Sequence, residues 1–195
     1  MTHPPVTIVK LASPIPVAVR DSRPEDVAEI HRIYSHAVLN GTGTFEEVAP
    51  NPEDMVSRRQ AILDRSLPFL VAESRGSVVG YAYAGPFRPR SAYRYTLEDS
   101  VYVAPEVRGL GVGRALLAEL VARATALGYR QMIAVIGDSA NHASIRAHSA
   151  AGFAHVGTIT NVGLKFGQWL DSVYMQRSLE TSESKAETGE PQERN

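Results

Sequence analysis

Residues 101–114 read VYVAPEVRGLGVGR, a β-branched segment that runs through a glycine-rich turn into a helix. Its first residues suit a half-buried strand, and Pro105 ends the hydrogen-bonding ladder. Three glycines alternate along the turn: Gly109, Gly111 and Gly113. Glycine permits positive φ angles and close approach of a ligand to the backbone. Because the free N–H groups at the helix start lie beside Arg108 and Arg114, the segment predicts an anion-binding turn that would hold a phosphate.

Two familiar nucleotide motifs do not fit this turn. A P-loop needs Lys followed by Ser or Thr after the last glycine, whereas Arg114 and Ala115 follow Gly113. A dinucleotide-binding fingerprint that starts at Gly109 needs a third glycine at position 114. A turn that binds nothing stays open as the alternative.

Hydrophobic periodicity predicts the order strand, helix, helix, three strands, helix, strand, helix, two strands. The strands are expected at 17–20, 69–72, 77–84, 95–103, 131–136, 153–157 and 172–178, and the helices at 21–38, 51–63, 114–127 and 141–151. Such an order favours an α/β (α+β) fold with a mixed sheet and helices on both faces.

Composition narrows the class of protein. The 195 residues are 44% hydrophobic and 21% charged, which suits one globular domain. A net charge of −1 offers no field for nucleic acid or an anionic membrane, and no apolar run is long enough to span a bilayer. With no cysteine, disulfides, thiolate metal sites and cysteine nucleophiles are excluded. His31 and His36 have no third ligand nearby, so no metal is expected.

The composition of the two terminal segments predicts the domain boundaries. Residues 1–16 contain four prolines and are expected to be a loose extension or an edge strand. They lack the pattern of a secretion signal, so a cytoplasmic protein is expected. Residues 17–179 form the domain. Residues 180–195 are acidic and polar, which predicts a disordered tail.

From 17 to 179 the sequence resembles the GCN5-related N-acetyltransferase (GNAT) family, in its phosphinothricin and methionine-sulfoximine N-acetyltransferase branch. Arg108, Gly111 and Gly113 match the family's acyl-CoA pattern Arg/Gln-x-x-Gly-x-Gly/Ala. Further matching segments lie at 34–45, 83–88, 98–102, 134–136 and 162–171. Asp99 departs from the pattern, since relatives carry a neutral residue or His there, and it could alter the local charge at the substrate site.

The resemblance implies a GNAT fold, acetyl-CoA as the acyl-donor cosubstrate and a two-fold homodimer. The turn would wrap the coenzyme A pyrophosphate, and Asn141 would hydrogen-bond the pantetheine arm. The residues that it assigns to acetyl-CoA are Val101, Tyr102, Val103, Arg108, Gly109, Leu110, Gly111, Val112, Gly113, Arg114 and Asn141.

Two residues are the catalytic candidates. Glu98 would remove a proton from the acceptor ammonium, directly or through water, so that a neutral amine attacks the thioester. An ion pair with Arg88, Arg90 or Arg94 is its alternative. His148 matches the place where many acetyltransferases carry a tyrosine that protonates the departing thiolate. A core or interface histidine with a satisfied ring is the alternative there. Backbone N–H groups near 101–103 would stabilise the thioester oxygen.

A small amino-acid acceptor carries a carboxylate, so arginines on a loop beside the base suit it. Solvated surface arginines are the alternative. The expected substrate-binding residues are Phe45, Phe87, Arg88, Pro89, Arg90, Tyr93, Glu98, Asp99 and Ser100. Trp169 is expected in the core or in dimer packing rather than in the pocket wall.

These residues predict an acetyl-CoA-dependent N-acetyltransferase that acts on the α-amine of a small amino acid or analogue, such as phosphinothricin, methionine sulfoximine or methionine sulfone. One alternative is a non-catalytic acyl-CoA-binding or sensing module. Another is the same chemistry on a protein N-terminus or a polyamine, although Arg88 and Arg90 argue against a polyamine.

Overall fold

The computed structural model describes residues 15–179, which form one seven-stranded sheet and four α-helices. The predicted tail and all but residues 15–16 of the predicted extension lie outside the described residues. The strands are β1 (Ala18–Asp21), β2 (Phe69–Ser74), β3 (Ser77–Pro86), β4 (Thr96–Val103), β5 (Gln131–Gly137), β6 (Ala154–Lys165) and β7 (Gln168–Ser178). The helices are α1 (Val27–Asn40), α2 (Pro52–Leu63), α3 (Val112–Ala126) and α4 (His142–Ala150).

The sheet has the order β1-β2-β3-β4-β5-β7-β6. Within the described chain only β4 and β5 run parallel, and every other neighbouring pair is antiparallel. The predicted order of elements and the mixed α/β fold are therefore confirmed. No helix in residues 15–179 is long and apolar enough to cross a membrane.

Each face of the sheet is covered by one pair of helices, because side chains alternate between the faces along every strand. On β2, Leu70 packs with α3, whereas Val71 packs with α1 and α2. One helix on each face, α1 and α3, presents the apolar stripe that the spacing predicts. On α1 the buried residues are Val27, Ile30, Ile33, Tyr34 and Val38, and on α3 they include Leu116, Leu117, Leu120, Val121 and Ala124.

Side-chain caps fix two helix starts near the site. The Asn51 side chain accepts a hydrogen bond from the Asp54 N–H at 2.8 Å, and the Asp54 carboxylate accepts one from the Asn51 N–H at 3.1 Å. This reciprocal capping box begins α2. At α4, the Asn141 side chain accepts from the Ser144 N–H at 3.3 Å.

The last two strands are much longer than predicted and form a hairpin at the sheet edge. The expected segments 153–157 and 172–178 omit most of β6 and the first part of β7. Register irregularities between His155 and Gly157 and between Ile159 and Gly163 break the alternation that marks a strand. Trp169 is 64% exposed on this hairpin, which excludes the core as its place within the described chain.

Lys165 joins this hairpin to the connection between α1 and α2. Its side chain is 1% exposed, and its ammonium donates hydrogen bonds to the carbonyl oxygens of Gly41 at 2.8 Å and Thr44 at 2.7 Å. Burial lowers the pKa of Lys165, against the opposing charges of Glu46 and Glu47. We call residues 41–45 the acceptor loop.

The acceptor loop packs against the ends of β5 and β6. A Cβ at Gly137 would lie 2.6 Å from the Thr42 carbonyl oxygen, and a Cβ at Gly163 would lie 2.4 Å from the Phe45 ring. Glycine at both positions is therefore required for the loop to lie this close. Thr42 also donates a hydrogen bond from its hydroxyl to Asp138 at 2.8 Å.

Replacing Lys165 by Met should loosen the acceptor loop, because the Gly41 and Thr44 carbonyls lose their donor. A buried polar group left unpaired costs about 1–3 kcal/mol. Hydrogen–deuterium exchange should quicken in peptides covering the loop, and thermal unfolding should begin at lower temperature. Arg75→Met, which removes an exposed cation at the β2–β3 turn, is the control and should leave both unchanged. Equal exchange rates in Lys165→Met and wild type would contradict the role of this lysine.

Candidate active site

The glycine-rich turn leads from β4 into α3. Gly111 occupies the N-cap of α3 with a left-handed φ of 88°, and Gly109 has a φ of 78°. The first helical hydrogen bond runs from the Ala115 N–H to the Gly111 carbonyl at 3.0 Å. The preceding N–H groups thus lie at the positive end of a 15-residue helix without intrahelical partners. This turn fits the diphosphate of a coenzyme A molecule.

The other residues predicted for acetyl-CoA divide between backbone and side-chain roles. Arg108 and Arg114 are exposed beside the turn. Leu110 is half-buried, while Val112 is buried in the core and offers only its N–H group. A Cβ at Gly113 would meet Val103 and Val101 at 3.6 and 4.0 Å, which is ordinary van der Waals contact, so the packing of α3 on β4 does not itself require this glycine.

The parallel pairing of β4 with β5 ends early. The two strands pair only through Thr96–Asp99 and Gln131–Ala134, yet β4 runs on to Val103 and β5 to Gly137. Over the unpaired part, β4 keeps its ladder to β3 on its other edge. Backbone polar groups of residues 100–103 therefore face a gap, which suits an extended ligand that needs backbone partners. We call this opening the β4–β5 gap.

Side chains of β4 alternate between the two faces beside this gap. Val101 and Val103 pack on the α3 side, and Tyr102 packs on the α1 side, edge-on to Tyr34 at 4.9 Å and stacked on Tyr81 at 5.2 Å. Only the backbone of residues 101–103 is thus available to a ligand in the gap. Asn141 begins α4 near the acceptor loop, since a Cβ at Gly43 would lie 3.3 Å from its amide nitrogen.

Glu98 lies on the α1 face of β4, opposite Gly85 on β3. Its side chain is half-buried, and burial raises the pKa of Glu98 above its ordinary 4.5, although the charge of Arg88 opposes this. The carboxylate of Asp99 adds to the increase. Among residues 15–179 no cation lies within 4.0 Å of Glu98, so the alternative of a direct ion pair is not realised.

Residues 87–95, which we call the arginine loop, connect β3 to β4. Its guanidinium nearest to the base belongs to Arg88, which lies 4.7 Å over the Phe87 ring. Phe87 in turn meets Tyr93 edge-to-face at 5.7 Å. Pro89 and Arg90 are exposed, and Arg90 is not among the charges that act on Glu98. Arg88 and Arg90 are thus both exposed, and of the two only the charge of Arg88 acts on Glu98.

An aromatic wall on the α1 face escaped the sequence-based prediction. Tyr83 and Tyr81 lie directly opposite Ser100 and Tyr102 and share the face of Glu98. With Phe69 the tyrosines stack at 5.2–6.4 Å. A cavity of about 260 Å³ opens there, lined by Tyr34, Met55, Arg58, Ala61, Ile62, Phe69, Tyr81 and Tyr83. The sequence signal that could have revealed this wall is the alternate spacing of Tyr81 and Tyr83, which puts both side chains on one face of β3.

Asp99 and His148 meet on the opposite face. Their side chains form a buried pair with 2.9 Å between Nε2 and Oδ2. The placement of Asp99 differs from the expectation that it borders the acceptor, because neighbouring residues of a strand face opposite sides. His148 has both ring nitrogens engaged, as in the alternative of a satisfied core histidine. Phe45, on the acceptor loop, is 37% exposed.

Within the described part of the chain no three His, Asp or Glu side chains gather closely enough to hold a metal ion.

The family model of the Acetyltransferase (GNAT) family matches residues 36–153. A phosphinothricin N-acetyltransferase of Alcaligenes faecalis is 51% identical over 166 residues, 85% of this chain and 84% of that protein. An L-methionine sulfoximine/L-methionine sulfone acetyltransferase of Salmonella typhimurium is 38% identical over 164 residues, 84% of this chain and 95% of that protein.

Among solved structures, a phosphinothricin acetyltransferase from Sinorhizobium meliloti in complex with acetyl-CoA superposes with a TM-score of 0.82. It is 46% identical in sequence, and the match covers 91% of this chain and 94% of that one. These matches confirm the resemblance found in residues 17–179. The chain belongs to the GNAT family of acetyltransferases.

Proposed function

We propose that the protein is an acetyl-CoA-dependent N-acetyltransferase that acts on the α-amine of a small amino acid or analogue of the phosphinothricin, methionine sulfoximine or methionine sulfone type. The observation that carries this proposal is the environment of Glu98: a half-buried carboxylate with a raised pKa, one residue from the β4–β5 gap and under the influence of Arg88. The relatives named above support the acceptor class.

Glu98 has the properties of a base for an ammonium group. Because burial raises the pKa of Glu98, its carboxylate binds a proton more readily than an exposed glutamate does. A base whose pKa moves towards neutrality transfers protons more effectively near pH 7. Acetyl-CoA supplies the acetyl group as a thioester. The backbone N–H groups of residues 100–103 are the donors available to the thioester oxygen as it gains charge.

Arg88 and the aromatic wall suit the rest of an amino-acid acceptor. A guanidinium binds a carboxylate through paired, charge-assisted hydrogen bonds. The cavity beside Tyr83 is mostly apolar and suits a short side chain. Arg58 is among its lining residues, but its charge is paired with Glu46 at 2.7 Å. The exposed charges that would repel a polycationic polyamine are therefore those of Arg88 and Arg90.

The first test is thiol release from acetyl-CoA in the presence of methionine sulfone, methionine sulfoximine, phosphinothricin, free amino acids or spermidine. Glu98→Gln should lower kcat by about 10²–10⁴-fold, the usual contribution of a general base. Calorimetry should show acetyl-CoA binding close to wild type, since the turn is intact. Acetyl-CoA binding without turnover on any acceptor would instead favour the sensing module or a protein substrate.

Removing the charge of Arg88 should change the pH dependence. The kcat/KM profile should rise with pH as Glu98 loses its proton. Arg88 favours the carboxylate, so Arg88→Gln should raise the pKa of Glu98 further and move the acidic limb to higher pH. Arg90→Gln, an equal loss of charge on the same loop, should leave the limb in place. Identical limbs in wild type and Arg88→Gln would show that Arg88 does not act on the base.

A homodimer is part of the proposal. The hairpin of β6 and β7 exposes apolar side chains at the sheet edge, and such patches mark interaction surfaces. The residues are Val156, Ile159, Val162, Leu164, Phe166 and Trp169, each 49–64% exposed. A second copy of this chain is the proposed occupant, because the resemblance to the phosphinothricin and methionine-sulfoximine N-acetyltransferases implies a two-fold dimer.

Replacing Trp169, which lies opposite Leu164 in the hairpin, by Arg should therefore disrupt the dimer. Light scattering should give the mass of two chains for wild type and one chain for the variant. Leu127→Arg, which changes an equally apolar residue that is 50% exposed beyond α3, should remain dimeric. A wild-type mass of one chain would refute this part of the proposal.

A further inference from the structure

The Asp99–His148 pair contains one proton more than a carboxylate and a neutral imidazole. His148 Nδ1 lies 2.8 Å from the carbonyl oxygen of Ser144, and a carbonyl only accepts, so Nδ1 carries a hydrogen. The Ser144 hydroxyl lies 3.3 Å from the same nitrogen. Nε2 lies 2.9 Å from Asp99 Oδ2. A second proton must occupy this contact, on Nε2 or on the carboxyl, because two bare lone pairs would repel each other.

The surroundings retain this proton. Side-chain exposure is 5% for His148 and 2% for Asp99. Burial by itself disfavours the imidazolium, but the bond and charge of Asp99 and the Ser144 carbonyl outweigh it and raise the pKa of His148 above 6.5. Opposite Asp99, β3 and β5 present Ala84 and Ala134, which do not titrate. The nearest other charge on β4 is Glu98, which interacts with Asp99 across the strand and faces Arg88.

One polar atom of the pair has no hydrogen-bond partner. Oδ1 of Asp99 is the only buried side-chain nitrogen or oxygen in residues 15–179 that has no hydrogen-bond partner. Asp99 is also the last residue of β4 that pairs with β5. The unpartnered oxygen therefore belongs to the residue at which the β4–β5 gap begins. An unsatisfied buried carboxylate oxygen costs free energy unless a donor completes it.

We propose that Asp99 is a positioning residue that holds His148 doubly protonated where the β4–β5 gap begins, so that the pair gives one proton to the sulfur of coenzyme A as the thioester breaks. This inference rests on the proposed function. It assigns Asp99 to the leaving group rather than to the acceptor.

The proton transfers balance across β4. Glu98, on one face, takes a proton from the acceptor ammonium and passes it to water, so that the neutral amine can attack. The nitrogen forms the new bond to the acetyl carbon and gives its second proton to Glu98. The carbon–sulfur bond breaks, its electron pair stays on sulfur, and sulfur takes the proton that His148 and Asp99 share on the other face. The pair is left as a carboxylate and a neutral imidazole that still donates from Nδ1 to Ser144, with the lone pairs of Nε2 and Oδ2 facing each other. Their repulsion favours reprotonation. Water returns the proton after coenzyme A leaves.

The first experiment is an NMR titration of the His148 ring in the protein without cosubstrate, with the signal assigned by its loss in His148→Gln. Asp99→Asn should lower the midpoint below that of wild type, because the burial cost remains while the compensating charge is gone. Asp99→Ser should act in the same direction and covers the case that the amide variant does not fold. Asp64→Asn, an exposed carboxylate beyond α2, is the matched control and should leave the midpoint unchanged. An unchanged midpoint in both Asp99 variants would overturn the proposal.

The second experiment separates a positioning role from a structural one. In Asp99→Asn the alkaline limb of the kcat profile should move to lower pH, and kcat at pH 8 should fall by about 10-fold or more, within the range of general acid catalysis. KM for acetyl-CoA should stay within about 2-fold, since the backbone partners remain. A lower melting temperature with an unmoved alkaline limb would leave only a structural role and overturn the proposal.

The two experiments also separate this inference from the proposed function. If wild type turns over none of the acceptors, the proposed function fails. The titration still shows in that case whether Asp99 holds His148 in its charged form.

Discussion

Parallel pairing between β4 and β5 lasts for the four residue pairs from Thr96–Gln131 to Asp99–Ala134, and the arrangement of the site depends on where it stops. Up to Asp99 the strands hold each other in register. Beyond it, the backbone of β4 has a partner on the β3 side alone. The gap opens beside Glu98, and the glycine-rich turn lies at the far end of the same strand. One strand thus aligns the glycine-rich turn, the free backbone donors and Glu98.

Local patterns were enough to predict that strand and its turn. Gly109 and Gly111 adopt the positive φ angles that glycine favours, and both lie within a few residues of the strand and helix that they join. The order of elements followed for the same reason, because apolar spacing reports burial one segment at a time. The β6–β7 hairpin was truncated in the prediction because irregular register and a residue such as Asn161, with a φ of 51°, hide the alternation.

The candidate site was harder to predict, because it joins residues that are distant in sequence. Asp99 and His148 are 49 positions apart, and their contact depends on how α4 packs over β4. Resemblance to a family aligned Asp99 with the acceptor-binding segment, whereas the simple alternation of a strand directs it away from Glu98. The arginines show a similar limit: Arg88 and Arg90 lie two residues apart on an irregular loop, and only the folded structure shows that the charge of Arg88, and not that of Arg90, acts on Glu98.

Lys165 attaches the acceptor loop to a second part of the fold, the β6–β7 hairpin. The loop belongs by sequence to the connection between α1 and α2, yet its carbonyls are held by a hairpin whose apolar surface faces outward. A partner bound to that surface would stabilise the hairpin and, through Lys165, the loop. Thermodynamic linkage makes such an effect reciprocal, so a small molecule that orders the loop strengthens the outer contact by the same factor. If the acceptor binds this loop and a second chain binds the hairpin, as proposed, each binding event strengthens the other.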